Sequence, residues 1–411
     1  MECREVVVVE AVRTPTGRSG WAGAAKGGVF SKVSAQHLLA TVLRGLVDRV
    51  QERSPAFDPR EIEDTAVGCL SQIGEQGLNV GRIGLLAADL PDEVAGWTVN
   101  RYCNAGLQDV NSQAHALMCG AGEIAIAAGV ELMSHYSMGS DFVVAGQAGL
   151  PASMHPRAME RSAMYPMGMS AQMVADRYNL AREDMDRLGL WSHQKAVKAM
   201  REEDWYRKKI VPVEVEEDGV KKLVDKDEPP RAQCLDDPEA AYTKMASLPP
   251  RFRDDGTVTA GNSSAIADGA AAVMLMTAEK AEALGLEPMA RIVSTAVAGS
   301  EPLIMLLGPI PAIHKALDRA GITMDDVDVF EPNEAFASPV LAFCIEFGLD
   351  FDDPRINPTG GAIAIGHPIG CSGVLYFTEM VHWLKRNNLR YGLQTLCGGG
   401  GVGIATVVER V

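Results

Sequence analysis

The 411 residues are 47% hydrophobic and 22% charged, too apolar for a disordered chain and too many for one ordinary core, so two or three packed units are expected. With 38 Lys and Arg against 54 Asp and Glu the net charge is −16, which excludes a general attraction to nucleic acid or anionic membrane and requires a local basic patch for any anionic ligand. The eight cysteines show neither the short paired spacing of a zinc site nor the density of a disulfide-stapled domain, so a reducing, cytoplasmic compartment and no bound metal are expected.

Met1-Glu2-Cys3-Arg4 leads straight into a strand-like run from Val6 to Val9, without the basic start, apolar stretch and small-residue cleavage site of a secretory leader. No apolar run approaches the length of a membrane span, and Glu409-Arg410-Val411 is no peroxisomal address. Leu38 to Val50 reads as a helix, and Asp58-Pro59-Arg60-Glu61-Ile62 leads into a strand from Thr65 to Cys69. Trp97 to Val99, a turn at Cys103, a helix to Met118 and a strand from Ile124 to Val130 follow. The stretch from Met133 to Asp255, rich in Met and Pro early and in mixed charge later, reads as an inserted, solvent-facing module.

The same order then returns. A helix from Ile313 to Ala320, Met324-Asp325-Asp326-Val327, a strand through Val329-Phe330, Ile356, a turn around His367, a helix to Leu384 and a strand from Leu393 to Cys397 repeat the earlier series. Strands alternating with helices argue for α/β architecture. Two copies of one unit are expected: residues 1–284 with the insertion at about 133–255, and residues 285–411.

Cys103 sits in Asn100-Arg101-Tyr102-Cys103-Asn104-Ala105-Gly106-Leu107, just before a helix whose apolar face is Leu107, Val110, Ala114, Leu117 and Met118. A sulfur at a helix N-terminus meets free N–H groups and the positive end of the dipole, which favour thiolate. From this segment alone a buried structural cysteine stays open. Asn357-Pro358-Thr359-Gly360-Gly361-Ala362-Ile363-Ala364-Ile365-Gly366-His367-Pro368 places a histidine on a glycine-flanked turn, with Pro368 suited to a first helical turn, so His367 is expected at a second helix N-terminus, facing outward.

Cys397 precedes Gly398-Gly399-Gly400-Gly401. Such a run exposes backbone N–H groups without side-chain obstruction, as an oxyanion or phosphate site requires. No helix-opening G-x-G-x-x-G with a downstream acid accompanies it, which argues against a dinucleotide site. Asn333-Glu334-Ala335-Phe336-Ala337 follows a strand, where open α/β folds place ligands. Thr257-Val258-Thr259-Ala260-Gly261-Asn262-Ser263-Ser264 and Asp268-Gly269-Ala270-Ala271-Ala272 repeat the theme of small residues, and each alone reads as a turn plus a packed small-residue helix.

Together, and in this order, Asn100 to Gln108, Gly256 to Asn262, Asn333 to Ala337, Gly360 to Pro368 and Cys397 to Gly403 resemble the motifs of the thiolase family. The likeness extends to Ala11-Val12-Arg13-Thr14-Pro15-Thr16-Gly17 and Ala128-Gly129-Val130-Glu131-Leu132-Met133-Ser134, and so covers essentially the whole chain. The resemblance implies a five-layered α-β-α-β-α sandwich of two βαβαβαββ halves, with the inserted loop domain receiving coenzyme A. It implies that Cys103 is acylated, that His367 activates its thiol, and that Cys397 moves the proton on the α-carbon or the departing group. One oxyanion hole would use His367 with a water held by Asn333, and the other the N–H groups of Cys103 and Gly399. Ser264 would contact pantetheine, Arg231 the adenine end, and Met167, in Tyr165-Pro166-Met167-Gly168-Met169-Ser170, would border the acyl pocket.

The resemblance further implies acyl-CoA and coenzyme A as substrates, no cofactor, and a homodimer or homotetramer, with room for a partner subunit in a β-oxidation complex. Pro166 before Met167 resembles degradative enzymes of broad chain length, so thiolysis of 3-ketoacyl-CoA is expected, with acetoacetyl-CoA synthesis by an acetyl-CoA acetyltransferase as the alternative and a non-catalytic lipid-binding protein as a remote one. A ketoacyl synthase is disfavoured by Cys397. Arg207-Lys208-Lys209 is the one basic patch suited to phosphates, although charge runs usually face solvent. Ala105, Ala265 and Ala267 depart from the family's pattern, and Gly373-Val374-Leu375-Tyr376 replaces a more usual small residue and arginine, which puts local helix packing in question.

Overall fold

The computed structural model describes residues 3–20, 27–151, 153–162 and 166–411. Met1, Glu2 and Tyr165, which entered the sequence readings, lie outside them. The chain runs β1 (Val6–Arg13), β2 (Gly17–Arg18), α1 (Ala35–Arg53), β3 (Asp64–Gly68), α2 (Val80–Ala87), β4 (Ala95–Val99), α3 (Ala105–Met118) and β5 (Ile124–Leu132). The insertion contributes α4 (Ser140–Gln147), α5 (Pro156–Ser162), α6 (Met167–Arg177), α7 (Arg182–Arg201), α8 (Glu203–Tyr206), the hairpin β6 (Val213–Glu217) and β7 (Val220–Val224), α9 (Gln233–Asp236) and α10 (Pro238–Ala246). β8 (Ala267–Thr277) and α11 (Ala278–Ala283) close the first series. The second is β9 (Ala290–Gly299), α12 (Pro309–Ala320), β10 (Val329–Pro332), α13 (Ala337–Phe347), α14 (Ser372–Asn387), β11 (Tyr391–Gly398) and β12 (Val402–Glu409).

Nine strands follow one path, β10-β11-β12-β9-β1-β8-β5-β3-β4, with β2 paired on β8 off the path and β6 and β7 paired with each other. Reading outward from the β1–β9 contact, each side has the same order. The first side is β1, β8, β5, β3, β4; the second is β9, β12, β11, β10 and then Ile356, which reaches Phe330 by a single bridge where the first half has a whole strand. The β1–β9 pairing that joins the two sides is short, Val7↔Arg291 and Val8↔Ala290.

Burial explains the layers. β1 (VVVVEAVR) is buried along its whole length, the continuous apolar run of a strand covered on both faces. One face, with Val7 and Val9, packs under Leu39, Leu43 and Leu46 of α1. The other, with Val6 and Val8, joins Leu107 and Val110 of α3 and Val374, Phe377 and Val381 of α14, which also meet Val329, Leu396 and Ile404 from the second sheet. α3 and α14 therefore form a shared middle layer. On the far side of the second sheet Ala312, Ile313 and Ala316 of α12 and Val340 and Leu341 of α13 pack on Phe330 and Leu393. These are the five layers of an α-β-α-β-α sandwich.

Helix ends follow local chemistry. Ser34 Oγ accepts from His37 N at 3.1 Å to start α1, and Gly321 and Gly348, at φ 68° and 66°, stop α12 and α13 in the left-handed conformation. Asp268 to Ala272 is not the helix its alanines suggest but part of the central strand β8, paired antiparallel with both β1 and β5. Alanine favours a helix in isolation, but here it lets layers approach: Ala270 and Ala272 face α1 while Ala271 faces α3 and α14. Gly373, a departure from the family's pattern, resolves similarly, because a Cβ there would stand 2.0 Å from Leu107 N. α14 crosses α3 at that point.

The insertion is not uniformly solvent-facing. α4 and α5 bury no residue, whereas Val174 and Met185 of α6 and α7 enter the core beside α12 and α13, and Val213, Val215 and Val224 of the hairpin enter the core beneath α1. Among the described residues no helix is long and apolar enough to cross a membrane.

Candidate active site

β4 ends in a tight turn that presents Cys103 two residues before α3. Asn100 Oδ1 accepts from Tyr102 N at 2.9 Å, and Tyr102 adopts φ 51°, a conformation uncommon for a residue with a side chain. Asn104, fully buried, orients its amide nitrogen to donate to Leu396 O at 3.1 Å and Cys397 O at 2.8 Å. The turn is thereby fastened to β11. The backbone N–H groups of Cys103 and Gly399 lie close enough to the Cys103 sulfur to favour its charged form, and the Cys397 thiol stands nearby. Met133 and Ile369 enclose it, with Leu70, Met167 and Ile266 at the edge.

Burial, with Cys397 adding to it, pushes the Cys103 thiol well up despite those two N–H groups. The thiolate expected from the helix N-terminus is therefore not the resting state. Desolvation penalises the charged form more than the nearby amides favour it.

His367 also differs from expectation. α14 begins at Ser372, so the histidine lies five residues upstream of the helix and is 7% exposed rather than outward-facing. His367 N donates to Ala265 O at 2.8 Å, and Gly366, at φ 111°, leaves no room for a Cβ, which would fall 2.5 Å from Ala267 Cβ. Nδ1 lies 2.6 Å from Ser372 Oγ, and that hydroxyl donates to Pro368 O at 2.9 Å. With its own proton used there, Ser372 accepts, so Nδ1 carries hydrogen and Nε2 presents a lone pair. Asn333 Nδ2 faces Nε2 at 3.4 Å. Burial pulls His367 down to about 4, leaving the imidazole neutral at pH 7.

Asn333 is set by its own N–H, which donates to Thr395 O at 3.0 Å, while its Oδ1 is buried without a partner. An orphaned acceptor beside a neutral histidine is a place for a polar ligand atom or water. Glu334 faces elsewhere: Ser192 Oγ at 2.6 Å, Asn357 Nδ2 at 2.8 Å and Ile363 N at 3.1 Å all donate to it. It clamps the segment that carries His367 instead of joining the reacting centre.

Cys397 and Gly398 are the last residues of β11, paired with Gly403 and Val402. Gly400 and Gly401, at φ 74° and 82°, form the reversal that only glycine takes easily. Cys397 is 2% exposed, and burial pushes its thiol up to about 12.

Sequence reasoning missed Glu131. Its carboxylate accepts from Leu70 N at 2.9 Å, Ser71 N at 3.1 Å, Gln76 Nε2 at 3.0 Å and Gly370 N at 2.9 Å, tying the loop after β3 to the His367 turn. It also missed Ser372, whose only signal was a hydroxyl five residues after the histidine. Tyr376, at another departure from the family's pattern, donates to Gly366 O at 2.5 Å and steadies the same turn.

Of the ligand-contact expectations, Met167 opens α6 and packs at the rim of the Cys103 cluster. Ser264 N donates to Ala335 O at 3.0 Å in the loop that also holds His367, so Ser264 stands beside the centre. Arg231 is exposed, with its N–H donating to His193 Nδ1 at 3.3 Å. The Arg207-Lys208-Lys209 patch is broken up, because Lys209 is buried and paired with Glu379, which also binds Arg13 Nε at 2.8 Å.

Residues 6–279 match the family model for the thiolase N-terminal domain and residues 286–410 that for the thiolase C-terminal domain. A 3-ketoacyl-CoA thiolase of Pseudoalteromonas atlantica is 43% identical over 99% of this chain and 100% of its own length, and one of Aliivibrio fischeri is 42% identical with the same coverage. The crystal structure of an acetyl-CoA acetyltransferase of Bacillus anthracis superposes with a TM-score of 0.86 at 34% identity, covering 100% of both chains.

Proposed function

This chain belongs to the thiolase family, and on that premise we propose that it is an acyltransferase that cleaves 3-ketoacyl-CoA with coenzyme A, through an acyl-enzyme on Cys103, in acyl-CoA degradation. The observation that carries the reading is the seat of the Cys103 sulfur, between its own N–H and that of Gly399 and beside the Cys397 thiol. Relatives named 3-ketoacyl-CoA thiolase are 42–43% identical, against 34% for the neighbour named an acetyl-CoA acetyltransferase, which favours cleavage.

In the first half-reaction the Cys103 proton passes to His367 Nε2, and the sulfur attacks the 3-keto carbon. The N–H groups of Cys103 and Gly399 stabilise the oxyanion. The bond between carbons 2 and 3 then breaks, leaving an acyl thioester on Cys103 and the enolate of acetyl-CoA. The newly protonated His367, with a water held by Asn333, donates to the enolate oxygen while Cys397 gives its proton to carbon 2. In the second half-reaction coenzyme A returns a proton to Cys397 and its sulfur attacks the thioester. The departing Cys103 sulfur recovers its proton from His367.

Met167 borders the acyl group, and Ser264 and Arg231 contact coenzyme A in this reading. All eight cysteines are free, which supports a reducing cytoplasmic setting. Family membership supports a homodimer or homotetramer. The test is thiolysis of 3-ketoacyl-CoA substrates from four to sixteen carbons: cleavage of the longer chains supports the reading, and turnover confined to four carbons would instead favour acetoacetyl-CoA chemistry.

A further inference from the structure

The turn that carries His367 is held at three successive residues. Ile365 O accepts from Thr16 Oγ1 at 2.6 Å, Gly366 O accepts from Tyr376 Oη at 2.5 Å, and His367 N donates to Ala265 O at 2.8 Å. Tyr376 stands on α14 and Ala265 in the loop before β8. Thr16, between β1 and β2 and fully buried, is the partner tied to the insertion.

The tie is Asp227, which follows the hairpin of β6 and β7. Its Oδ1 accepts from Thr16 N at 2.8 Å and lies 3.1 Å from Thr16 Oγ1. Arg13 donates to both carboxylate oxygens, each at 2.8 Å, and Tyr206 Oη donates to Oδ2 at 2.8 Å. Arg13 is itself fixed to α14, where Glu379 accepts from its Nε at 2.8 Å. Glu228 N donates to Thr16 O at 2.9 Å, so the Thr16 backbone is fastened on both sides of its hydroxyl. A threonine hydroxyl has one proton to give. Because Asp227 Oδ1 already receives Thr16 N and Arg13, the nearer acceptor, Ile365 O, takes it.

We propose that Thr16 is a positioning residue for His367, and that Asp227 orients its hydroxyl and couples it to the segment of the insertion that ends in Arg231. The proposal rests on the reading of His367 as the base that takes the Cys103 proton. A buried carbonyl that loses its donor is costly, so without the hydroxyl the turn shifts to find another partner. Asn333 Nδ2 stands 3.4 Å from His367 Nε2, at the outer reach of a hydrogen bond, and a small shift of the turn ends that contact.

The test compares Thr16→Val, which keeps the shape and loses the donor, with Thr16→Ser, which keeps the donor. In Thr16→Val the kcat for thiolysis and the rate at which iodoacetamide alkylates Cys103 should each fall by about fivefold or more, at nearly constant KM, and Thr16→Ser should recover both. In a His367→Ala background Thr16→Val should slow alkylation no further, because the hydroxyl acts through the histidine. Equal slowing with and without His367 would overturn the proposal, as would a lower melting temperature with kcat and alkylation unchanged, which assigns Thr16 to the fold alone. Where Thr16→Val fails to fold, Thr16→Ala removes the same donor without placing a γ-methyl against Asp227 and is read in the same way. Alkylation needs no acyl substrate, so a chain that shows this pattern yet does not cleave 3-ketoacyl-CoA would lose the proposed function and keep the role of Thr16.

Discussion

The Cys103 turn and the His367 turn occupy equivalent places in the two halves, each leading from an edge of its sheet into a helix of the middle layer, yet they hold their reactive atoms by different means. Cys103 stands two residues before α3 and is held by backbone, namely its own N–H, that of Gly399 and the carbonyls that fix Asn104. His367 stands five residues before α14 and is held by side chains, Ser372 on one ring nitrogen and Asn333 on the other. The repeat duplicates a scaffold, and loop length decides what each copy can present. A short turn aims backbone amides at a sulfur; a longer one leaves space for partners that fix a tautomer.

The comparison predicts where each turn breaks. The largest effect belongs to Cys103→Ala, which removes the nucleophile: turnover should fall by roughly 10⁵-fold or more in a thiolysis assay. The variant should melt close to the parent, since the side chain touches a small cluster. Asn333→Ala comes next, raising the barrier by about 3 to 4 kcal/mol, as loss of an oxyanion donor does elsewhere. Near-normal turnover there would remove Asn333 from the mechanism.

Ser372→Ala should cost less, about 1 to 3 kcal/mol, because it strands the Nδ1–H of His367 without freeing Nε2. The expected signature is a fall in kcat at nearly constant KM, with recovery in Ser372→Thr; a drop in melting temperature with unchanged kcat would assign Ser372 to the fold alone. A further effect concerns pH and bears on stability rather than turnover. His367 and His382 are pulled by burial to about 4 and His193 to about 3, below the unfolded value of about 6.5. Between these limits the unfolded chain binds more protons, so stability rises with pH and is lost as pH falls from about 6.5 toward 4, at up to roughly 1.4 kcal/mol per histidine per unit. A denaturation series across that interval checks it, and stability flat with pH would contradict it.

The repeat was legible in the sequence because strands buried on both faces, such as Val6 to Val9, and helices such as Leu38 to Val50 leave strong local patterns. The motifs around Cys103, His367 and Cys397 were legible because glycine and asparagine mark backbone that must turn sharply or approach a neighbour. β8 was not, since its alanines carry helix propensity and become a strand only through pairing with β1 and β5. The protonation states were hidden as well: helix position argued for a thiolate at Cys103, and only burial shows that desolvation wins. Glu131 was invisible in its role because its partners, Leu70, Ser71, Gln76 and Gly370, lie 55 to 239 residues away in the chain.

The central claim is that Cys103, not Cys397, carries the acyl group. Mixing the protein with a 3-ketoacyl-CoA in the absence of free coenzyme A, quenching in acid and locating the adduct by peptide mass spectrometry tests it directly. One acyl group on the peptide containing Cys103, with one equivalent of acetyl-CoA released, is the predicted result; an adduct on Cys397, or acetyl-CoA release without any adduct, would contradict it.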